Sequence, residues 1–502
     1  MKNSVFAALA LLLAVSCTGD FEEYNTNTQT PEKGDTAPVT LLEELICSSA
    51  QDLQYRSWWC HNELMQYTVD VGNSTRFYVY TFPASSFETL WKMFYRYAAN
   101  AQEIVRLAEK YEQPNMRAIG MTLRAMYFAI LTDMFGDIPY TEALRIDENL
   151  LQPKMDRQKE IYEALIRSLE EANSLYVLTG QMEAPTKDLL YGGDIAAWKR
   201  FTNSLNLRLC LRLSNRPGSI GLETLRKLAA DPATYPVFES CHDDAKIAFT
   251  VAAPFRGPFG NLTDGNFTTS SHKCSERLVR LLHSTYDPRR SKWTKFSGEE
   301  PKGVVSGYNN PDGSGCATLN AAVLKSYDAP AWFMTAAEVK FILAEAALAG
   351  YIPGGRALAE RYYEEGITAS LRQWDPALTD ADIDKFIHAA GSSVAFDGTL
   401  AQLMDQKWLA LFMQGFESWN DYRRTGYPRL EIGPDVGNEG ILPTRLLYCQ
   451  STVATNRTNY EAQVAYLRAT YPSVSQGSVG GDNMKTPVWW SLRAVELENA
   501  QQ

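Results

Sequence analysis

Two neighbouring stretches constrain the fold most. Residues 88–110 place Leu90, Trp91, Phe94, Tyr97, Ala98, Ala101, Ile104, Val105 and Ala108 close to an i, i+3, i+4, i+7 spacing. Residues 115–134 repeat the pattern with Ile119, Leu123, Met126, Tyr127, Ile130, Leu131 and Met134. A 3.6-residue period gathers these side chains on one face of a helix, and that face must be buried against another element. Gly136 and Pro139 then stop the second helix, because Gly accepts a left-handed cap and Pro cannot continue the hydrogen-bond ladder. The same period recurs at 157–176 (Ile161, Leu165, Leu169, Ala172) and 195–214 (Trp198, Phe201, Leu205, Leu209, Leu213). It returns at 335–349, where Thr335 and Glu338 make a capping box and Gly350 a stop. Further helices are expected near 355–373, 379–389 and 398–413. The chain is therefore predicted to be mainly α.

Residues 235–330 break the pattern. They are rich in Gly, Pro, Asn and Ser and carry one clear short helix, near 275–284. They read as an irregular, loop-rich insert between a helical scaffold at about 39–230 and its continuation at about 331–428. Residues 429–502 read as mixed, with loops and an extended end, and 39–502 as one domain. The paired helices point to helix–turn–helix stacking of the tetratricopeptide kind. No strict 34-residue period is present, so the repeats are degenerate, and a plain all-α bundle fits the periodicity equally well.

The N-terminus sets the compartment. Lys2 precedes an unbroken apolar run from Val5 to Val15. As a helix this run spans on the order of 16 Å, about half a bilayer core, which suits a signal peptide better than a membrane span. Ala14 and Ser16 lead into Cys17, a pattern similar to a bacterial lipobox with alanine where leucine is usual. That pattern implies cleavage of residues 1–16, lipidation of Cys17 and anchoring by acyl chains rather than by a spanning helix. An ordinary signal peptide with Cys17 as an incidental thiol is the alternative. Residues 17–38, rich in Thr, Asn, Pro and acids, read as a flexible tether. Asp20, Glu22 and Glu23 resemble the acidic signal that sends Bacteroidetes lipoproteins to the cell surface.

Composition narrows the partners. The net charge is −11 and no basic run is present, which argues against nucleic-acid binding. Beyond Cys17, the seven cysteines at 47, 60, 210, 241, 274, 316 and 449 form no CxxC pair, so neither a zinc ribbon nor a redox pair is indicated. Cys210 lies in an apolar helical pattern and is expected to be buried. The five histidines (61, 242, 272, 283, 388) have no metal-ligand spacing, and no phosphate loop, dinucleotide fingerprint or hydrolase motif appears. No cofactor and no metal are expected. A glycosidase carboxylate pair has no spacing rule in sequence, so that chemistry stays open.

Four stretches carry a family resemblance: "MYFAILTDMFGDIPYTEAL" (126–144), "WKRFTNSLNLRLCLRLS" (198–214), "WLALFMQGFESWNDYRRTGYP" (408–428) and "GGDNMKTPVWW" (480–490). Together they resemble the SusD/RagB family of Bacteroidetes outer-membrane nutrient-binding lipoproteins. The tether departs from that pattern in reading Asn25-Thr26-Asn27-Thr28 without a proline. The resemblance implies a SusD-like fold, in which tetratricopeptide-like helix pairs form a scaffold and an irregular portion binds ligand. It further implies a lipid-anchored protein of the outer membrane, facing outward. Such a protein passes an oligosaccharide, without catalysis, to a SusC-like TonB-dependent transporter. Peptide or another nutrient as cargo, a surface hydrolase and a pure scaffold are the competing readings.

The motifs themselves read as structural: a helix stop at 136–140, an Arg–carboxylate fork involving Asp421, and a terminus pinned by Trp489 and Trp490. Ligand contacts are therefore sought in loops. Sugar recognition needs flat aromatic faces together with amides, carboxylates or Arg for the hydroxyls. Three stretches supply them: 72–82 with Arg76, Phe77, Tyr78 and Tyr80; 255–270 with Phe259, Asn261, Asp264, Asn266 and Phe267; and 291–313 with Trp293, Tyr308, Asn309 and Asn310. The expected ligand residues are Arg76, Tyr78, Tyr80, Asp264, Asn266, Phe267, Trp293 and Tyr308. For any single aromatic, packing beneath its own loop is the competing reading. The run "NNPDGSG" (309–315) reads as a polar turn rather than a calcium loop.

Overall fold

The computed structural model describes residues 36–501 except 73–75, 83, 146–147, 261–271, 297–299 and 476–479. The leader, Cys17, nearly all of the tether and the candidate ligand residues Asp264, Asn266 and Phe267 lie outside the described residues.

Helix pairs build the scaffold. Helix α1 (Pro38–Arg56) opens with Pro38 in its first turn, where the missing N–H costs nothing. It widens into a π-turn at Ser57–His61 and continues to Leu64. After β1 (Thr68–Asp70) come α2 (Ala84–Lys110) and α3 (Pro114–Phe135), the two most periodic stretches, packed on each other. Their backbones approach closely at Gly120, where a Cβ would sit 2.9 Å from Val105 Cγ2. Only glycine fits there without a shift. Helix α3 is long and apolar enough to cross a membrane by composition, yet 94% of its apolar window is buried inside the protein. Helices α4 (Gln158–Leu175), α5 (Ile195–Arg212) and α6 (Gly221–Ala230) continue the stack, each on its predecessor. Asp194 caps α5 by accepting from the N–H groups of Ala196 and Ala197, satisfying donors that a helix start leaves open.

The insert is more ordered than its composition indicates. It holds β2 (Ala245–Ile247), β3 (His272–Cys274), α7 (Glu276–Ser284), β4 (Thr294–Lys295) and β5 (Thr318–Leu319). Strand β6 (Ala331–Met334) pairs with β2 and leads into α8 (Ala336–Leu348). Helices α9 (Gly355–Trp374), α10 (Asp380–His388), α11 (Leu400–Ala410) and α12 (Gly415–Thr425) complete the second half, with α8 packed on both α9 and α5. The C-terminal part is α13 (Gln450–Thr455), α14 (Arg457–Thr470) and α15 (Leu492–Asn499). Its expected extended end is instead helical, capped by Ser491, whose hydroxyl accepts from the Ala494 N–H. One continuous apolar core runs from Val39 to Leu497 and includes Cys210.

The capping box at Thr335 forms only by half. Thr335 accepts from the Glu338 N–H, but the Glu338 carboxylate turns to Arg208, 2.6 Å away. That choice belongs to a larger buried network. Arg212 meets Glu417 at 2.7 Å and Asp133 at 3.7 Å. Lys407 meets Asp421 at 2.7 Å, Arg424 meets Asp421 at 2.8 Å, and Arg424 also pairs with Glu345. Trp490 donates its indole N–H to Asp133 at 2.9 Å. Burial pushes the Asp421 carboxyl up, but the Lys407 and Arg424 charges outweigh it and hold the group below the ordinary carboxylate range. All four family-like stretches thus meet in one buried charge cluster.

Candidate functional site

Strands β1, β3, β5 and β4 form an antiparallel sheet in that order. Its register pairs Thr68 with Cys274, Asp70 with His272, and Leu319 with Thr294. This sheet gathers two of the three stretches named from sequence: residues 72–82 leave β1, and residues 291–313 contain β4 and run on toward β5. Most of the remaining stretch, 261–270, lies outside the described residues. A small apolar cluster of Val69, Tyr78, Val79, Val304 and Cys316 packs beneath them.

Arg76 and Tyr308 emerge at this edge. Arg76 is exposed, with φ of 66°. Its guanidinium donates to Asn309 Oδ1 at 2.5 Å, linking the first stretch to the third. Tyr308 is 45% exposed. A segment of the C-terminal part fixes both. Asp435 Oδ2 accepts from the Asn309 N–H at 2.8 Å, the Asp435 N–H donates to Gly307 O at 3.1 Å, and the Gly437 N–H donates to Val79 O at 2.8 Å. The segment comes so close that a Cβ on Gly433 would lie 2.3 Å from Gly307 O. The outcome is an exposed surface with guanidinium donors, a side-chain amide, a carboxylate and a phenol ring. Such a set can hydrogen-bond vicinal hydroxyls and cover a C–H face.

Three expected ligand residues turn inward. Tyr78 and Tyr80 are 1% and 3% exposed. Arg76 and Tyr80 both adopt left-handed backbone around a 3-10 turn, Phe77–Val79, which folds this stretch back on itself and buries its rings. Burial, reinforced by Glu63 and Asp70, pushes the Tyr78 phenol up to about 12. Trp293 is fully buried. It ends a one-turn helix ahead of β4, stacks on Phe412 with centroids 4.2 Å apart and meets Trp374 edge-on at 5.5 Å. Its indole is core, not a platform. Phe259 is likewise buried, edge-on to Trp58. The Trp58–Trp59 pair splits: Trp58 is core, and Trp59 is half-buried under the Arg56 guanidinium. The 309–315 run is a polar turn in which Asp312 accepts from the Ser314 N–H at 2.8 Å.

Asp435 and Gly433 escaped the sequence reading, since neither lies in a motif and their role depends on a long-range contact. Tyr286 also escaped it. It is 78% exposed beside a groove of about 480 Å³ lined by Pro288, Phe386 and Gly391.

Comparison with known proteins decides the family. A family model described as starch-binding and associating with the outer membrane matches residues 28–449. The chain is a member of the SusD-like family. Solved structures agree in fold. A chitin-binding protein is 24% identical, with a TM-score of 0.76 over 91% of this chain and 99% of that one. A SusD homologue from Bacteroides fragilis is 21% identical, with a TM-score of 0.75 over 91% and 99%. A chitin-binding SusD homologue from Flavobacterium johnsoniae is 22% identical, with a TM-score of 0.72 over 90% and 98%. No curated protein sequence matches the chain. The mainly helical SusD-like fold inferred from the four sequence stretches is thus the observed one, with its helix-pair scaffold and an insert more ordered than its composition indicates.

Proposed function

We propose that this SusD-like protein is a lipid-anchored lid of the outer membrane. It binds an oligosaccharide without catalysis and passes it to a SusC-like TonB-dependent transporter. The observation that carries the reading is the meeting of three chain-distant segments, around Arg76, Tyr308–Asn309 and Asp435, at one exposed surface beside the sheet. There Arg76, Asn309, Asp435 and Tyr308 present hydroxyl-binding groups beside an aromatic ring. The family's description as starch-binding and the chitin-binding relatives favour a glycan over a peptide. Anchoring rests on Cys17, which is expected to be the first residue of the mature chain.

The test is a glycan array with the mature protein, followed by calorimetry on the best ligand. Saturable binding without product formation is expected, and Tyr308→Ala weakens it. Stacking of a sugar on one aromatic is worth on the order of 1 kcal/mol, so the loss should be about fivefold or more. Silence across starch and chitin fragments, with a peptide co-purifying instead, would move the cargo to another class. In cells, Cys17→Ala is expected to release the protein from the membrane fraction.

A further inference from the structure

Beneath the same sheet lies a trio of donors that the linear sequence does not group. Glu63 lies in the last turn of the extension of α1, Asp70 ends β1 and His272 begins β3. Asp70 and His272 are direct cross-strand partners, and side chains of directly opposed residues project from the same face of a sheet. All three residues are buried. One ligand atom from each lies within 4.8 Å of the others. Ligand atoms on one ion with bonds of about 2.1–2.4 Å stand no more than roughly 4.2–4.8 Å apart, and the trio keeps within that spread.

Details within the trio favour a metal over a plain ion pair. His272 Nε2 stands 3.3 Å from Glu63 Oε1. A charge-assisted N–H···O bond is shorter, about 2.7–2.9 Å. Two ligands of a tetrahedral ion with bonds of about 2.1 Å stand roughly 3.4 Å apart. The carboxylates are also held by the backbone: the Tyr78 N–H donates to Glu63 Oε2 at 3.2 Å, and the Gly72 N–H to Asp70 Oδ1 at 2.9 Å. Outer-shell hydrogen bonds of this kind orient metal ligands. Trp58 packs on the imidazole with centroids 4.6 Å apart and fixes its plane. Two carboxylates and a neutral imidazole carry a charge of −2, which a divalent cation neutralises. The nitrogen ligand selects against Ca²⁺ and Mg²⁺, which prefer oxygen, and favours Zn²⁺.

We propose that Glu63, Asp70 and His272 form a buried zinc-type divalent metal site. It would clamp the end of α1 to strands β1 and β3 at the root of the loop edge. The full mature chain, stripped with dipicolinate, should take up one Zn²⁺ per chain by calorimetry, with Ca²⁺ binding far more weakly. Its thermal midpoint should rise with zinc concentration, because an ion that binds only the folded state stabilises it. Asp70→Asn and His272→Gln keep the shape but remove a ligand. Each should weaken zinc by more than the roughly 100-fold that loss of an outer-shell partner costs. If a variant does not fold, zinc-edge X-ray absorption on the wild type decides. Imidazole and oxygen scatterers support the site, and a thiolate sulfur overturns it. No zinc uptake by the stripped wild type, or equal uptake by both variants, also overturns it. None of these readouts involves a sugar, so they stand apart from the glycan assay.

Discussion

The centre of the scaffold and the edge of the four-stranded sheet obey opposite rules. In the scaffold, charges sit in the interior and many are answered by another: Arg208 by Glu338, Arg212 by Glu417, Lys407 by Asp421. Beside the sheet, Arg76, Tyr308, Asn309 and Asp435 are exposed, and single hydrogen bonds join Arg76 and Asp435 to Asn309. A buried pair is costly to break because a lone charge in low dielectric has no water to fall back on. An exposed pair is worth little to the fold. The difference explains why the recognisable motifs coincide with the buried charges: they mark positions where a change costs folding, whereas the proposed binding surface carries exposed groups that the fold does not depend on.

The sharpest way to break this contrast is at Arg212. Arg212→Met would strand Glu417 and Asp133 in the core, at a cost of about 3–5 kcal/mol. Urea unfolding of the variant measures it. A loss below about 1 kcal/mol would mean that the scaffold charges are as dispensable as surface ones.

Trp293 tests the same contrast from the other side, since its sequence context places it with the ligand loops and its packing with the core. Trp293→Ala is expected to destabilise by about 3–5 kcal/mol, with sugar affinity unchanged for the fraction that folds. Reduced affinity at full stability would return Trp293 to the binding surface. Its case also shows what sequence could and could not tell. The helices were legible for two reasons: α2 buries one stripe, so its 3.6 period survives in the linear chain, whereas α3 is buried on nearly every side and is marked by its long apolar run. Two stretches that meet at the candidate site, 72–82 and 291–313, were legible as well, from their aromatics and turn residues. Which aromatics face outward was not. That depends on left-handed backbone at Arg76 and Tyr80, on Phe412 lying under Trp293, and on the distant segment holding Gly433 and Asp435. Short strands such as β3 and β5 offer too few residues for a period-2 signal, so the sheet was missed with them.

A pH dependence probes the seam between insert and scaffold. Asp244 precedes β2, is buried and accepts from the Ala336 N–H at 2.7 Å. Burial raises its carboxyl from the ordinary 3.8 to about 7, against the opposing pull of that hydrogen bond and of Lys246. A raised carboxyl favours the folded state most when it is protonated in both states. That stability is complete below about pH 4 and is lost as the pH rises to about 7. The loss amounts to a few kcal/mol. Asp244→Asn should therefore flatten the stability profile between pH 4 and 7. A wild type whose unfolding midpoint does not fall relative to the variant over that interval would refute the raised carboxyl.

The smallest effect on stability, and the most telling for the comparison, belongs to Arg76. Its guanidinium is exposed and its one described hydrogen bond, to Asn309, joins two surface stretches. Arg76→Ala should change folding stability by no more than about 0.5 kcal/mol, as surface changes do. A charged hydrogen bond to a ligand hydroxyl is worth about 1.5–3 kcal/mol, so affinity should fall about 10- to 100-fold. Asn309→Ala separates two routes to that loss. If Arg76 acts by touching the sugar, removing Asn309 frees the guanidinium without removing it, and affinity falls by less than in Arg76→Ala. If Arg76 acts by holding the third stretch in place, the two variants lose affinity equally and the double variant loses no more than either. Arg76→Ala with unchanged affinity but a large loss of stability would invert the contrast, putting a structural charge at the surface and leaving the binding edge to residues other than this pair.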